Sequence, residues 1–193
     1  MTNEKSNADR QFATSRLTQS AILIAMAIVL SYFKLAQWTF GGSVTLGSMI
    51  PIMLISMKYP FSWSLTSAVA YSLIQMMQGF YAPPVENLLY YTLMILLDYV
   101  VAFGGLSLAG PVYRALKKKI SERNSIMAAT TLCLVLRFLC HFASGIIVWA
   151  AYAPANQPVW LYSLIYNGSY MLAECVISGA IMGFAGPRLV NLP

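Results

Sequence analysis

The chain is poor in charge. Of its 193 residues only 9% are charged, six of them acidic, and it has one histidine and three cysteines. A water-soluble domain carries about a quarter charged residues, so the shortage excludes that class. A single histidine excludes the usual Cys/His zinc spacings. The sequence holds no H-E-x-x-H pattern, nucleophile elbow or P-loop. Cys133, Cys140 and Cys175 all lie in apolar stretches and read as small core residues, not as a disulfide or metal set. The alternation of a membrane barrel is missing. No small-residue cleavage signal follows the first apolar run, so no removable signal peptide is expected. What is present is a chain 59% hydrophobic, in runs approaching the ~20 residues that cross ~30 Å of hydrocarbon as helix. These features predict an all-α integral membrane protein, a bundle of six transmembrane helices.

The breaks between runs place the helices. The spans are expected at 17–37, 44–57, 61–80, 87–108, 126–151 and 160–184, punctuated by Pro60, Pro83, Pro84, Pro154, Pro158 and Pro187. The second is short for a bilayer, so it is tilted, broken or shielded by protein. With no internal repeat and no long linker, residues 1–193 read as one domain, with 1–16 a polar N-terminal segment. Lys5, Arg10, Arg16, Lys58, Arg114, Lys117, Lys118, Lys119, Arg123 and Arg188 then fall on one side, against Lys34 and Glu86 on the other. The positive-inside bias makes both termini cytoplasmic, in a multi-pass plasma-membrane protein. Lys117 to Lys119 read as topology and anionic-lipid contact, with no nucleic-acid partner.

The chemistry concentrates in Arg137-Phe-Leu-Cys-His141-Phe-Ala-Ser-Gly145-Ile-Ile-Val-Trp149. Residues four apart share a helix face, so Arg137, His141, Gly145 and Trp149 form one stripe. Ionisable groups at membrane depth are costly and mark functional sites facing the bundle interior. Counting about 1.5 Å per residue puts Asp98, Arg137 and Glu174 near the midplane, where mutual pairing is expected. His141 lies ~6 Å and Trp149 ~18 Å further out than Arg137. Asn167 shares a face with Glu174, and Tyr162 lies near the outer end. Trp38, Phe80, Tyr81, Tyr152 and Trp160 crowd the expected rim, partly as interfacial anchors. Together they predict a polar, outward-opening cavity whose carboxylate and aromatic faces suit a planar cationic heteroaromatic ligand. Tyr99 points about 100° away from Asp98 on a regular helix and is a weaker candidate. A competing class is an intramembrane enzyme, with Ser144 near His141. Arg137 and Glu174 could also form a purely internal pair.

The stretch from Arg137 through Trp149 and Tyr152, followed by Tyr162-Ser-Leu-Ile-Tyr-Asn167-Gly168 and preceded by Leu96-Leu97-Asp98-Tyr99, resembles the thiamin-specific substrate-binding (S) subunit of energy-coupling factor (ECF) transporters. The resemblance covers nearly the whole chain. It implies that the protein captures thiamin from outside and is not an enzyme. It implies as partners a transmembrane coupling subunit and two ATPase subunits, with no cofactor of its own. Asp98 would match the carboxylate, glutamate in some members, that binds the aminopyrimidine. Asn167, Tyr162 and His141 would match further pyrimidine contacts, and Trp149 would stack on the thiazolium. Arg137 stands where lysine also occurs, and Trp38 and Tyr81 would match the lid and rim. Ala21 and Ala25 resemble the small-xxx-small patch through which these subunits meet their transmembrane partner. Two departures are Leu46, where some relatives carry an acidic residue, and a longer Tyr81 to Asp98 interval. Both leave a related vitamin or a pyrimidine precursor as the alternative ligand.

Overall fold

A computed structural model describes the backbone of residues 2–192 and the side chains of residues 10–192; Lys5, used above for charge placement, has its side chain outside the described residues. Six helices carry the fold: α1 (Thr2–Tyr32), α2 (Ile50–Lys58), α3 (Phe61–Gln78), α4 (Leu88–Leu116), α5 (Glu122–Ile147) and α6 (Val159–Val190). Between α1 and α2 the chain forms a hairpin of β1 (Lys34–Gln37) and β2 (Ser43–Thr45), antiparallel, with Lys34 opposite Thr45 and Gln37 opposite Ser43. The expected first span ran through Gln37. The helix stops earlier and the chain turns back as hairpin.

The helix count agrees with the sequence reading, and four of the helices (residues 10–32 of α1, then α4, α5 and α6) are long and apolar enough to cross a membrane on their own. With nine residues, α2 is only about 14 Å long. It survives because protein surrounds it: every residue from Ile50 to Met57 is buried. Its neighbours are α1, α3, α4 and α6. Outward faces of the long helices remain apolar, as with Leu172, Val176 and Phe184 on α6. In a soluble protein such surfaces would aggregate; here they face lipid.

Local signals set the helix ends. Asn87 Oδ1 accepts from the Tyr90 amide at 2.9 Å to cap α4, and Ser121 Oγ accepts from the Asn124 amide to cap α5. Pro51 sits in the first turn of α2, where its missing N–H costs nothing.

Polar ties gather both ends of the chain at one end of the bundle. Lys58 Nζ donates to Leu192 O at 2.7 Å, and Glu122 Oε1 accepts from Tyr113 Oη and Asn191 Nδ2. Tyr59 Oη donates to Gln19, Trp63 Nε1 donates to Ser20, and the Arg16 guanidinium lies 4.2 Å from the Trp63 ring centroid. Residues 2–16 of the expected polar N-terminal segment form the first turns of α1. This basic end also carries Arg114 and Arg188. The opposite end holds the hairpin and the aromatic connections.

Candidate functional site

A cavity of about 320 Å³ opens at the aromatic end and reaches into the bundle, with Asp98, Arg137, His141, Asn167 and Glu174 among its lining residues. Depth counting along the helices had predicted that Asp98, Arg137 and Glu174 meet. Their pairing differs from the expectation. Among the described residues the only basic side chain within salt-bridge distance of a carboxylate is His141, whose Nδ1 lies 3.0 Å from Asp98 Oδ1. Arg137 contacts neither carboxylate within salt-bridge distance. Its guanidinium lies 4.1 Å from the Phe103 centroid, Nη1 touches Met49 Sδ, and Nε donates to His141 Nε2 at 3.1 Å. That donation fixes the histidine tautomer. With Nε2 accepting, the ring hydrogen sits on Nδ1 and points at Asp98.

Asp98 is the centre of the cluster. Oδ1 accepts from His141, and Oδ2 accepts from Ser144 Oγ at 2.7 Å and from Trp149 Nε1 at 2.9 Å. A carboxylate offers about four lone-pair sites. Three are filled by protein, leaving capacity for one more donor on a side chain that lines the cavity. Ser144 donates to Asp98 and not to His141, so no serine–histidine dyad forms.

Two local irregularities build this arrangement. Residues Ile95–Val100 of α4 form a π-helical turn, a widening that recurs at functional sites. Because the turn is wide, Asp98 and its neighbour Tyr99 both line the cavity, which corrects the expectation that Tyr99 points away. The second irregularity is that α5 ends at Ile147, with the Val148 and Trp149 amides both bonded to Ser144 O. Trp149 therefore sits in the turn before the short 3-10 segment Ala150–Tyr152. The expected stripe continued as helix to an outer wall. Instead the indole folds back onto the same carboxylate as His141, and its ring stacks on Tyr152 at 5.9 Å.

On α6, Asn167 is 6% exposed and Nδ2 donates to His141 O and Ser163, while Oδ1 accepts from Tyr170 Oη at 2.7 Å. It thus ties α6 to α5 and keeps one acceptor lone pair. Gly145 makes room: a Cβ there would lie 2.1 Å from Ser163 Oγ and 3.0 Å from Asn167 Nδ2. Glu174 accepts at Oε1 from the Thr45 amide (2.5 Å) and hydroxyl (2.7 Å), anchoring the hairpin, and its buried Oε2 has no partner among the described residues.

At the mouth, Tyr81 packs against Gly41 of the hairpin tip, and Tyr162 also lines the cavity. Trp38 stands one layer further out, in a shallow recess with Tyr162 and Tyr166, its ring 6.0 Å from Tyr170. Sequence reading missed Tyr166, whose hydroxyl accepts from the Phe40 and Gly42 amides. It also missed Tyr170. Both lie on one four-residue stripe with Tyr162 and Glu174, a signal that could have found them. Ala21 and Ala25 are exposed on the outer face of α1, and the three cysteines are free.

A six-helix membrane protein with a deep polar cavity, opening at one end and centred on an acceptor-rich carboxylate, is a class built to hold a small polar molecule within a bilayer. The chain belongs to the thiamine transporter protein family, whose pattern matches residues 17–191. It is 31% identical over 192 residues to the thiamine transporter ThiT of Bacillus subtilis, covering 91% of this chain and 94% of that protein. Identity to ThiT of Lacticaseibacillus paracasei is 25% over 177 residues, covering 86% and 84%. A solved structure of ThiT from Listeria monocytogenes has the same fold, with a TM-score of 0.70 at 23% identity, covering 92% of this chain and 98% of that one. The family is one of transporters, which removes the intramembrane enzyme as an alternative.

Proposed function

We propose that this chain is the thiamin-binding S subunit of an ECF-type uptake transporter, a single six-helix unit that captures its substrate at the aromatic end. The observation that carries this reading is Asp98, which lines the cavity and is held by three donors with one acceptor site left. An aminopyrimidine offers an exocyclic amine to such an acceptor. The cationic thiazolium gains from the nearby carboxylate and from the aromatic faces of Trp149 and Tyr152. Asn167 and Tyr162 supply directional groups, Tyr99 and Tyr81 shape the walls, and Trp38 backs the hairpin tip. Arg137 acts through His141 as a positioning residue.

The basic end, with Lys58, Arg114, Lys117 to Lys119, Arg123 and Arg188, supports placing both termini in the cytoplasm. The cavity then faces outward. With no P-loop in the chain, ATP hydrolysis falls to separate ATPase subunits acting through a transmembrane coupling subunit. The exposed Ala21 and Ala25 surface of α1 is the assigned contact for that partner.

Titrating the purified protein with thiamin, riboflavin and pyridoxine while following tryptophan fluorescence tests the assignment. Saturable quenching by thiamin alone is expected. Binding of riboflavin or pyridoxine without thiamin would move the chain to another substrate.

A further inference from the structure

The cavity has a second polar wall that the Asp98 cluster does not use. Ser31 on α1 and Gln75 and Gln78 on α3 all line it. Gln75 Nε2 donates to Ser31 Oγ at 3.1 Å and to Gln78 Oε1 at 2.9 Å, and Ser31 Oγ reaches Gln78 Oε1 at 3.0 Å and Ile28 O at 2.7 Å. These bonds hold both carboxamides in place. They also leave a remainder. A carboxamide has one acceptor oxygen and two N–H donors. Among the described residues, Gln75 Oε1 accepts no hydrogen bond and Gln78 Nε2 donates none.

A free acceptor and a free donor therefore belong to residues three apart on one face of α3, both lining the same wall. The group that matches this pair both donates and accepts at a single atom. An alcohol does so. A carboxylate or phosphate could take the Gln78 hydrogens but would set its own lone pairs against Gln75 Oε1, and an alkyl end would leave both groups unpaired in a half-buried site. The wall is also tied to the Asp98 region: Tyr99, next to Asp98 in the chain, donates its hydroxyl to Gly79 O at 2.7 Å, directly after Gln78.

We propose that Gln75 and Gln78 form a hydroxyl-recognition subsite that selects ligands ending in a primary alcohol. It rests on the thiamin reading above, in which Asp98 takes the aminopyrimidine and the hydroxyethyl group at the other end of thiamin reaches α3. Ser31 is the positioning residue that orders both glutamines.

The test is a paired titration of the wild type, Gln75→Leu and Gln78→Leu with thiamin and with its analogue carrying ethyl in place of hydroxyethyl. The wild type should prefer thiamin by roughly five- to tenfold, the scale of one or two neutral hydrogen bonds. Each variant should lose that preference, binding thiamin more weakly while holding the ethyl analogue as before. Unchanged binding of the analogue also reports an intact fold. If one variant does not fold, the other and the wild-type preference decide. Equal wild-type affinity for the two ligands, or a parallel fall of both in the variants, overturns the subsite while leaving thiamin binding in place. A wild type that binds neither ligand overturns the thiamin reading itself, and the subsite with it.

Discussion

Two helix junctions in this bundle use the same parts and end differently. Where α2 meets α4, at the basic end, Ser56 Oγ donates to Ser107 O at 2.5 Å and accepts from the Gly110 amide at 2.7 Å. Where α5 meets α6, at the aromatic end, Ser163 Oγ donates to Phe142 O at 2.8 Å and Asn167 bridges to His141 O. Each junction needs a glycine. A Cβ on Gly110 would lie 1.8 Å from Ser56 O, and one on Gly145 would lie 2.1 Å from Ser163 Oγ. In the first the serine oxygen is both donor and acceptor, and Ser56 and Ser107 are buried. The second keeps a lone pair on Asn167, and beside it Asp98 of α4, bonded to His141, Ser144 and Trp149, keeps an acceptor site. Lipid offers no hydrogen bonds, so polar groups in a membrane protein are normally satisfied within it. Unused capacity on groups that line the cavity therefore marks where a ligand belongs; Thr130 Oγ1 and Ser178 Oγ, also buried without a partner among the described residues, lie outside that lining. The closed junction shows what structural polarity looks like.

Substitutions can break or sharpen this contrast. The largest effect is expected from Asp98→Asn, which removes the charge beside the open junction. Losing one partner of a desolvated charged contact costs about 2–5 kcal/mol, so thiamin affinity should fall by at least ~30-fold in a fluorescence titration. The fold should persist, since the two remaining donors on Oδ2 can still be met. Next comes Gly110→Ala. The obstructing atom is a backbone carbonyl that cannot swing aside, and overpacking of this kind costs about 1–3 kcal/mol or more. A clear drop in melting temperature should appear with and without ligand. Gly145→Ala should be milder in stability, because its new Cβ would meet side-chain atoms only: the Ser163 hydroxyl can rotate, although Ser163 Cβ, 2.9 Å away, must also shift. It should, however, lower affinity by pushing Asn167 and Ser163 toward the cavity. A Gly145→Ala protein with wild-type affinity would show that this junction is merely structural. Smallest is Ser144→Ala, which removes one of three donors to Asp98 and should cost about 1–2 kcal/mol of stability, read as a modest fall in melting temperature.

Much of this was legible in the chain. The four-residue stripe of Arg137 and His141, the seven-residue spacing of Asn167 and Glu174, and depth counting for Asp98, Arg137 and Glu174 put these residues into one cavity, because helix geometry converts sequence spacing into direction and depth. The shortness of α2 left it tilted, broken or shielded, and the structure shows it shielded, with Ile50 to Met57 buried. What escaped were departures from regular helix: the π turn that brings Tyr99 into the cavity beside Asp98, the early end of α5 that folds Trp149 inward, and the hairpin of residues 34–45. Each depends on tertiary contacts that a local pattern does not encode. Arg137 was misjudged for a related reason. Charge alone suggested a carboxylate partner, whereas Phe103 and the His141 ring nitrogen satisfy it.

The central claim is that the remaining acceptor site on Asp98 reads an exocyclic amine. The most direct measurement is a comparison of wild-type affinity for thiamin and for oxythiamin, in which that amine is replaced by an oxo group, by tryptophan-fluorescence titration. A carboxylate facing an oxo oxygen loses its hydrogen bond and gains a repulsion, and discrimination against an analogue lacking the recognised N–H reaches the order of 100-fold or more. Saturable one-to-one quenching by thiamin, with oxythiamin weaker on that scale, is the predicted result. Equal affinity for the two ligands would contradict it.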